Sequence, residues 1–288
     1  MTKILRHALA IVAGCLIGSG AWASGSSYPL DRFPTAKLAD QAALQNGAKL
    51  FVNYCLNCHG ASVMRYNRLR DIGLTEEQIK RNLMFTTDKV GDPMKVALRA
   101  VDAKQWFGAL PPDLSLVARS RASEVGSGPD WLYTYLRSYY RDSERPTGWN
   151  NALFENVGMP HVLWEMQGNR GVRIEDVHKH KDPKTGAVYM DKAVTTYDAS
   201  GLKTQSSEKV IDGMPPAAKT YRFAPPEGGA MSAMRYDSEV ADLVAFITYM
   251  SDPTASSRTR IGVWVLLFLS IFTIFAWNLN RVYWKDVK

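Results

Sequence analysis

Two cysteines and a histidine in the segment FVNYCLNCHG, residues 51–60, form the pattern Cys55-x-x-Cys58-His59. Four kinds of chemistry fit this pattern: half of a zinc site, a redox-active dithiol, a disulfide or chance pairing, and covalent attachment of a haem. Zinc needs two further ligands, usually a second Cys or His pair. A thioredoxin-type dithiol belongs to a βαβ unit. A disulfide or a chance pairing leaves the adjacent histidine unexplained.

The haem interpretation uses all three residues. Thiols at this spacing reach the two vinyl groups of one haem and form thioethers, and the next residue presents an imidazole nitrogen to the iron. Of the three cysteines, Cys15 lies in the N-terminal leader, so Cys55 and Cys58 are the thiols of the mature chain. The histidines that follow the motif are distant in sequence: His161, His178 and His180. We therefore predict one covalent haem c with His59 as the proximal ligand.

The ligand on the other side of the iron is open at this point. A His/Met pair raises the reduction potential and fills both axial positions, which suits electron transfer. Candidates are Met214 in DGMPP, and Met231 or Met234 in GGAMSAMRYD. His161 in VGMPHVLW is a further candidate, although a lone histidine is more often a packing or surface residue. Spacing does not choose among them, and any one methionine fits equally well as core filler.

Helices are predicted to position these residues. Residues 40–57 carry apolar side chains on one helical face and lead into the haem motif. The segment TEEQ, residues 75–78, is a capping box for a helix to about Phe85. Pro129 opens a third helical segment, WLYTYLRSYY. Residues 237–250 again have apolar residues at helical spacing.

The fold class is therefore predicted to be mainly α: a c-type cytochrome core around one haem, with long loop insertions. The largest insertion, residues 171–209, is polar and contains the turn signal KDPKTG. It is predicted to be an exposed loop or hairpin.

The N-terminus has the pattern of a secretory signal, residues 1–23. Lys3 and Arg6 precede an apolar run over residues 8–17, and a small-x-small exit places cleavage after Ala23. An apolar core of about ten residues is too short to span a bilayer. A second possibility is a lipoprotein site that leaves Cys15 lipidated.

The C-terminus has the pattern of a membrane helix. Residues 261–280 carry no charge, and twenty helical residues span about 30 Å, the thickness of a bilayer core. Aromatic residues cluster towards both ends, and basic residues flank the segment: Arg258, Arg260, Arg281, Lys285 and Lys288. An exported domain over residues 24–257 is therefore expected, tethered by a membrane anchor over 258–288 with a short cytoplasmic tail.

Composition argues against nucleic-acid binding. The net charge of the 288-residue chain is +7 and falls by two once Lys3 and Arg6 leave with the signal. The remaining charge is scattered, with no basic-aromatic stripe. The stretch before the anchor is long enough for one substantial domain.

Motifs along nearly the whole mature chain carry a family resemblance: LFVNYCLNCHG, GALPPDLSLVARSR at 108–121, RPTGW at 145–149, GMPP at 213–216, GGAMS…VADLVAFITYMSDP at 228–253, and the C-terminal anchor. In this order they resemble the cytochrome c1 family, the haem-bearing subunits of the cytochrome bc1 complex (ubiquinol–cytochrome c oxidoreductase), in a bacterial version. The haem motif and GALPPDLS are specific by themselves, and the order of the parts is highly specific.

The resemblance implies a set of haem contacts. It implies ligation by His59 and by the methionine before the last globular helix, which we assign to Met231 with Met234 as second choice. Met214 matches a segment that lies near the haem without ligating it.

The GALPPDLS segment gains a role from the same resemblance. Pro111 and Pro112 are expected to pack on a haem face and exclude water, and Arg121 to pair with a haem propionate. Asp113 or Ser115 is expected to cap the next turn.

The implied function is electron transfer. The chain is expected to receive electrons from the Rieske iron–sulfur protein, pass them to a soluble or tethered cytochrome c, and pack on cytochrome b. The complex is expected to be dimeric and to lie in the bacterial inner membrane, with the haem domain on the periplasmic side. A redox subunit of this kind has no catalytic residues of its own.

Two other functions compete. One is an open-site haem enzyme, such as a peroxidase or gas-binding cytochrome, with five-coordinate iron. The other is the cytochrome subunit of a different complex, which commonly has two or more CxxCH motifs or an N-terminal anchor.

Overall fold

The computed structural model describes residues 28–96, 98–181, 188–210 and 219–285. The predicted signal region with Cys15 and the GMPP motif with Met214 lie outside the described residues. Named elements follow in chain order: α1 Gln41–Leu50, β1 Ala61–Arg65, α2 Glu76–Asn82, β2 Pro93–Met94, α3 Ala100–Phe107, α4 Val117–Ser120, α5 Gly128–Arg137, β3 Tyr139–Arg141, β4 Trp149–Asn151, α6 Trp164–Gln167, β5 Val172–Lys181, β6 Val188–Tyr197, β7 Lys203–Val210, β8 Lys219–Phe223, α7 Ala233–Ser251 and α8 Ala255–Tyr283. Short 3₁₀ helices span Thr35–Leu38 and Tyr66–Ile72.

Helix α1 leads into the haem motif, as predicted. Asp40 caps it by accepting hydrogen bonds from the backbone N–H groups of Ala42 and Ala43, at 3.0 and 3.3 Å. Instead of continuing to residue 57, the α-helix ends at Leu50, and Phe51–Cys55 form one π-helical turn. Such wide turns often occur at functional sites.

Helix α7 crosses α1 and forms the centre of the core with it. Gly47 lies at the crossing, where an added Cβ atom would come within 2.0 Å of the carbonyl oxygen of Asp242. The rings of Phe51 and Phe246 pack beside it, with centroids 5.7 Å apart. Only glycine allows the two backbones to approach this closely. Helix α7 also begins one turn earlier than the sequence predicts.

The helix starts predicted at Thr75 and Pro129 are confirmed, and both have a capping box, which was predicted only at Thr75. Thr75 and Gln78 form a reciprocal capping box at the start of α2. At α5 the box is formed by Ser127 and Asp130, with proline in the first turn. The hydroxyl of Tyr236 donates to the carbonyl of Leu136 at 2.8 Å, which joins α7 to the end of α5.

The polar segment expected to be a loop or hairpin is more ordered than predicted. Strands β5, β6 and β7 form an antiparallel meander, and β8 completes a sheet with the strand order β7-β6-β5-β8. One face buries a small apolar cluster consisting of Tyr140, Ala152, Val172, Ile174 and Tyr197. Alternation of buried and polar residues along a strand is typical of an antiparallel sheet with one face on the protein and the other in solvent. The mainly helical fold class is confirmed, and this sheet is an addition to it.

Helix α8 is the membrane-helix candidate. Within the described part of the chain, Ser257–Tyr283 is long and apolar enough to cross a membrane, and its side chains are exposed. A helix that is apolar on every face and unburied fits a lipid environment.

Candidate functional site

A cavity of about 320 Å³ opens beside the end of α1. Cys55, Cys58 and His59 form one part of its lining. Most of the rest is apolar and comes from α3, α5, α7 and the loops between them, including Phe107, Leu110, Leu132, Val157 and Ile247. An apolar cleft with a few chemically active groups is the usual form of a cofactor site.

The two cysteines are free thiols. Burial, together with the neighbouring Cys58, raises the pKa of Cys55 to about 12, and burial also raises the pKa of Cys58. A reactive dithiol needs a lowered thiol pKa. Among residues 28–96, 98–181, 188–210 and 219–285, no group of three or more His, Cys, Asp or Glu side chains could hold a metal ion. The zinc and dithiol interpretations therefore lack support here.

His59 is held in one tautomer. Its Nδ1 lies 2.7 Å from the carbonyl oxygen of Pro112, so Nδ1 carries the proton and donates it. Burial lowers the pKa of His59 and outweighs the opposing effects of Pro112 and Asp113, so the imidazole is neutral. Its Nε2 then keeps a free lone pair. A histidine oriented by a backbone carbonyl in this way is the usual metal-ligating arrangement.

The GALPPDLS segment is hydrogen-bonded to the residues that follow His59. Leu114 donates its backbone N–H to the carbonyl of Gly60 at 2.8 Å. Asp113 accepts from the backbone N–H groups of Ser62 at 2.8 Å and Ser115 at 2.9 Å. The side chain of Asp113 therefore closes a turn and also joins two segments, which is more than the capping role predicted for it.

Pro111, Pro112 and Arg121 all line the cavity. Arg121 is exposed, and its guanidinium lies over the ring of Trp131, 4.3 Å from the centroid. Among the described residues that line the cavity, Arg121 is the one with a permanently charged side chain.

The structure does not bring Met231 or Met234 to the cavity. Neither lines it, Met231 is partly buried against the core, and the side chain of Met234 is 84% exposed. Met159 lines the cavity instead. Met159 was not among the predicted ligands, although it lies in VGMPHVLW beside the candidate His161, and its Gly-Met-Pro repeats the start of the GMPP motif.

The loop that carries Met159 is fixed by side chains from other segments. Asn156 has a left-handed backbone, with φ of +60°, a conformation that asparagine tolerates better than most residues. Its backbone N–H donates to the side-chain oxygen of Asn150 at 2.9 Å. The guanidinium of Arg145 donates to the side-chain and backbone oxygens of Asn156, at 3.0 and 3.2 Å. Arg145 begins the RPTGW motif, which gains a structural role here.

His161 is a core residue. Its Nε2 lies 2.6 Å from the side-chain oxygen of Gln167, and its ring stacks on Tyr139 with centroids 4.7 Å apart. Burial lowers the pKa of His161 to about 3. It does not line the cavity, so the packing interpretation fits it better than ligation.

These residues fit a haem. The cavity offers paired thiols, a neutral imidazole with a free nitrogen, a thioether on Met159, an apolar lining and one exposed guanidinium. Paired thiols for thioether bonds and a histidine with a methionine for the iron are the groups that a cytochrome of the His/Met class supplies to its haem c.

The haem-attachment motif, a helical core and a terminal apolar helix define a membrane-anchored c-type cytochrome. The model of the Cytochrome C1 family matches residues 33–185. A cytochrome c1 from Allochromatium vinosum is 39% identical over 285 residues, covering 99% of this chain and 98% of the relative. The chain belongs to the cytochrome c1 family.

Two further relatives are similar over most of their length. A cytochrome c1 from Rhodospirillum rubrum is 26% identical over 313 residues, with full coverage of both chains. A Nitrosomonas europaea protein named ammonia monooxygenase gamma subunit is 38% identical over 267 residues, covering 93% of this chain and 92% of that one. The name ammonia monooxygenase gamma subunit belongs to the Nitrosomonas protein and is not carried over to this chain.

Membership of the family fixes the general function. The chain is the haem-bearing subunit of a bacterial cytochrome bc1 complex, which also contains cytochrome b and the Rieske iron–sulfur protein. Its cofactor is haem c, and its work is electron transport.

Proposed function

We propose that this chain holds a single haem c through thioether bonds to Cys55 and Cys58, with His59 and Met159 as axial ligands. The observation that carries the proposal is that all four side chains line one apolar cavity. The haem supplies a one-electron iron couple, and this protein's residues hold it, tune it and keep water away. Met159 takes the place that the sequence analysis gave to Met231, because Met231 does not line the cavity.

Each group has a defined task in this arrangement. Pro112 holds the ring of His59 by accepting from Nδ1, so that Nε2 faces away from the hydrogen bond. Pro111 lacks an N–H group and adds apolar surface to the lining. Arg121 pairs with a propionate, which fits its exposed position at the cavity.

The proposal extends to location and partners. Residues 1–23 direct export, residues 24–257 form the haem domain on the periplasmic side, and residues 258–288 anchor it with the C-terminus in the cytoplasm. Arg258, Arg260, Arg281 and Lys285 flank the apolar helix, as expected at a membrane surface. The chain receives an electron from the Rieske protein and delivers it to a soluble or tethered cytochrome c within a dimeric complex.

Matched methionine variants test the ligand set. In the holoprotein, Met159→Leu is expected to abolish the near-infrared charge-transfer band that methionine ligation gives ferric haem. Met231→Leu and Met234→Leu are expected to keep it. Loss of the band in Met231→Leu alone restores the assignment made from sequence. High-spin spectra of the unmutated ferric protein contradict both assignments and favour an open-site haem enzyme.

Covalent attachment is tested separately. The mature chain, expressed in a host competent for cytochrome maturation, is expected to keep its haem after denaturation and solvent extraction. The variant with Cys55→Ala and Cys58→Ala is expected to lose it. A colourless protein with two free thiols contradicts the proposal.

Turnover with a soluble cytochrome c tests the acceptor. Electrostatic steering predicts a rate that falls as ionic strength rises, and a flat response contradicts steering.

A further inference from the structure

Two buried tyrosine hydroxyls form a chain that ends on the sulfur of Met159. The hydroxyl of Tyr135 donates to Met159 Sδ at 3.4 Å. The hydroxyl of Tyr139 donates to the oxygen of Tyr135 at 2.7 Å. It also lies 3.3 Å from the backbone carbonyl of Met159. A thioether sulfur only accepts hydrogen bonds, so the proton between Tyr135 and Met159 belongs to the tyrosine.

Packing fixes the rings of Tyr135 and Tyr139 and therefore the directions of their hydroxyls. Tyr135 lies on α5 and stacks on Trp131, with centroids 4.9 Å apart, and meets Tyr139 edge-on at 5.4 Å. Tyr139 is fully buried and stacks on His161 from its other side. The carbonyl of Tyr135 accepts from the side chain of Asn151 at 2.8 Å, which fixes the end of the helix. Neither hydroxyl is free to turn to solvent.

We infer that Tyr135 is a positioning residue that raises the reduction potential of the haem by hydrogen bonding to Met159, and that Tyr139 acts through Tyr135. The inference rests on the proposed ligation by Met159 and deepens it.

The direction follows from electrostatics. A hydrogen bond withdraws electron density from the sulfur, which makes Met159 a weaker donor to the iron. The hydroxyl also points the positive end of its dipole at the ligand. Both effects favour the reduced iron, which carries less positive charge. Second-shell hydrogen bonding is a recognised means of tuning haem potentials.

The test is Tyr135→Phe in the full-length holoprotein, with the midpoint potential measured by spectroelectrochemistry. The ring and its packing remain, so we expect the near-infrared band to persist while the potential falls. The expected change in the reduced-to-oxidised ratio at fixed poise is about threefold to tenfold. A tenfold change is ~59 mV for one electron. An unchanged or raised potential overturns the inference.

Tyr133→Phe is the matched control. Tyr133 lies on the same helix, but its ring packs against Phe33 and beneath Arg137 and does not line the cavity. Its potential is expected to equal that of the unmutated protein. An equal fall in Tyr133→Phe overturns the inference, because any loss of a hydroxyl from α5 then produces the effect.

Tyr139→Phe tests the chain of hydroxyls. It is expected to lower the potential by less than Tyr135→Phe, because it only polarises the Tyr135 hydroxyl. The double variant is expected to match Tyr135→Phe alone, since the Tyr139 hydroxyl reaches the sulfur only through Tyr135 and its other contact is to the backbone carbonyl of Met159. Additive shifts overturn the role given to Tyr139. If Tyr135→Phe does not accumulate as holoprotein, an unchanged potential in Tyr139→Phe overturns the inference by itself.

Met159→Leu separates the two levels of the proposal. If Met159→Leu keeps the near-infrared band, the proposed ligand set is wrong, and the tyrosine chain then has no ligand to tune. If Met159→Leu loses the band while Tyr135→Phe leaves the potential unchanged, the ligand set stands and this inference alone is wrong.

Discussion

The cavity has two walls that are built in different ways. The attachment wall, residues 55–63 and 108–116, carries the thiols and His59. Its two segments hold each other: the carbonyls of Pro112 and Gly60 accept hydrogen bonds across the wall, and so do the side chains of Asp113 and Ser115. The methionine wall, residues 150–162, carries Met159. Side chains from other segments hold it, among them Arg145 and Tyr135.

This difference separates binding from tuning. The contacts of the attachment wall lie within the two segments that form it, so we expect substitutions elsewhere in the chain to leave this wall unchanged. The methionine wall depends on side chains from other segments, such as Tyr135 and Arg145, so we expect substitutions in those segments to change the setting of Met159. Five predictions test this contrast, and they follow in order of decreasing effect.

Exchange of the ligand on the methionine wall gives the largest effect. Met159→His is expected to remain six-coordinate and lose the near-infrared band. Its potential is expected to fall by on the order of 200 mV, because imidazole stabilises ferric iron better than a thioether does. Spectroelectrochemistry measures the shift. Met231→His is the control, and the reverse pattern between the two variants contradicts the assigned wall.

The turn at Asn156 tests what holds the methionine wall. Asn156→Ala is expected to lower the free energy of unfolding by about 2 kcal/mol, because it loses an acceptor for Arg145 and strains a left-handed backbone. Urea unfolding of the holoprotein measures the loss.

The control at this turn is Asn156→Gly, which adopts positive φ without strain and is expected to lose about half as much. Equal losses in the two variants show that the backbone conformation is not the cause. No loss in either contradicts the role given to the Arg145 contact.

Asp113 tests the attachment wall. Asp113→Ala removes the acceptor for two backbone N–H groups and is expected to cost about 1–2 kcal/mol of unfolding free energy. Asp113→Asn keeps one acceptor oxygen and is expected to cost less. The free-energy equivalent of any shift in midpoint potential is expected to be smaller than the loss of unfolding free energy in both variants. A larger equivalent contradicts the proposed difference between the attachment wall and the methionine wall.

The carboxyl of Asp113 is also expected to make the stability of the protein depend on pH. Partial burial raises the pKa of Asp113, but hydrogen bonds from Ser115 and Ser62 outweigh it, so the pKa lies below its usual value. A lowered folded pKa gives stability that is present above the unfolded pKa of about 3.9 and is lost as pH falls further. Thermal unfolding between about pH 6 and pH 3 is expected to show this acid loss in the unmutated protein and less of it in Asp113→Asn.

Arg121 gives the smallest effect. Arg121→Gln removes a positive charge from the cavity lining, which favours ferric iron. The potential is expected to fall by ~40 mV, the equivalent of about 1 kcal/mol at an effective dielectric near 20. Arg119→Gln removes an exposed charge that does not line the cavity and is the control. Equal shifts in the two variants indicate a general charge effect instead of a propionate contact.

The parts of the fold that local sequence signals specify were predicted well. The capping box at Thr75 and the amphipathic faces of α1 and α7 are encoded within single elements. The sheet from β5 to β8 was expected to be a loop or hairpin, because its polar residues outnumber its buried ones. Its apolar partners, such as Tyr140 and Ala152, come from a different part of the chain.

The candidate site divides in the same way. Cys55, Cys58 and His59 are adjacent in sequence, and their spacing matches the dimensions of a haem, so no fold is needed to recognise them. Met159 lies about a hundred residues further on, and nothing in its neighbourhood distinguishes it from Met214 or Met231 as a ligand. Its Gly-Met-Pro setting also occurs at Met214 and therefore does not single it out.

The sequence by itself determined the haem-attachment motif, the apolar C-terminal helix and the family, because each depends on patterns of residues close together along the chain. Only the tertiary structure decided which methionine shares the cavity with His59, and which carbonyl and hydroxyls orient the two side chains. Axial ligation requires two side chains to meet across a space of a few ångströms. The packing of α5, α7 and the Asn156 turn brings Met159 and His59 to the same cavity. These contacts join residues that are far apart along the chain, so no local sequence pattern predicts them.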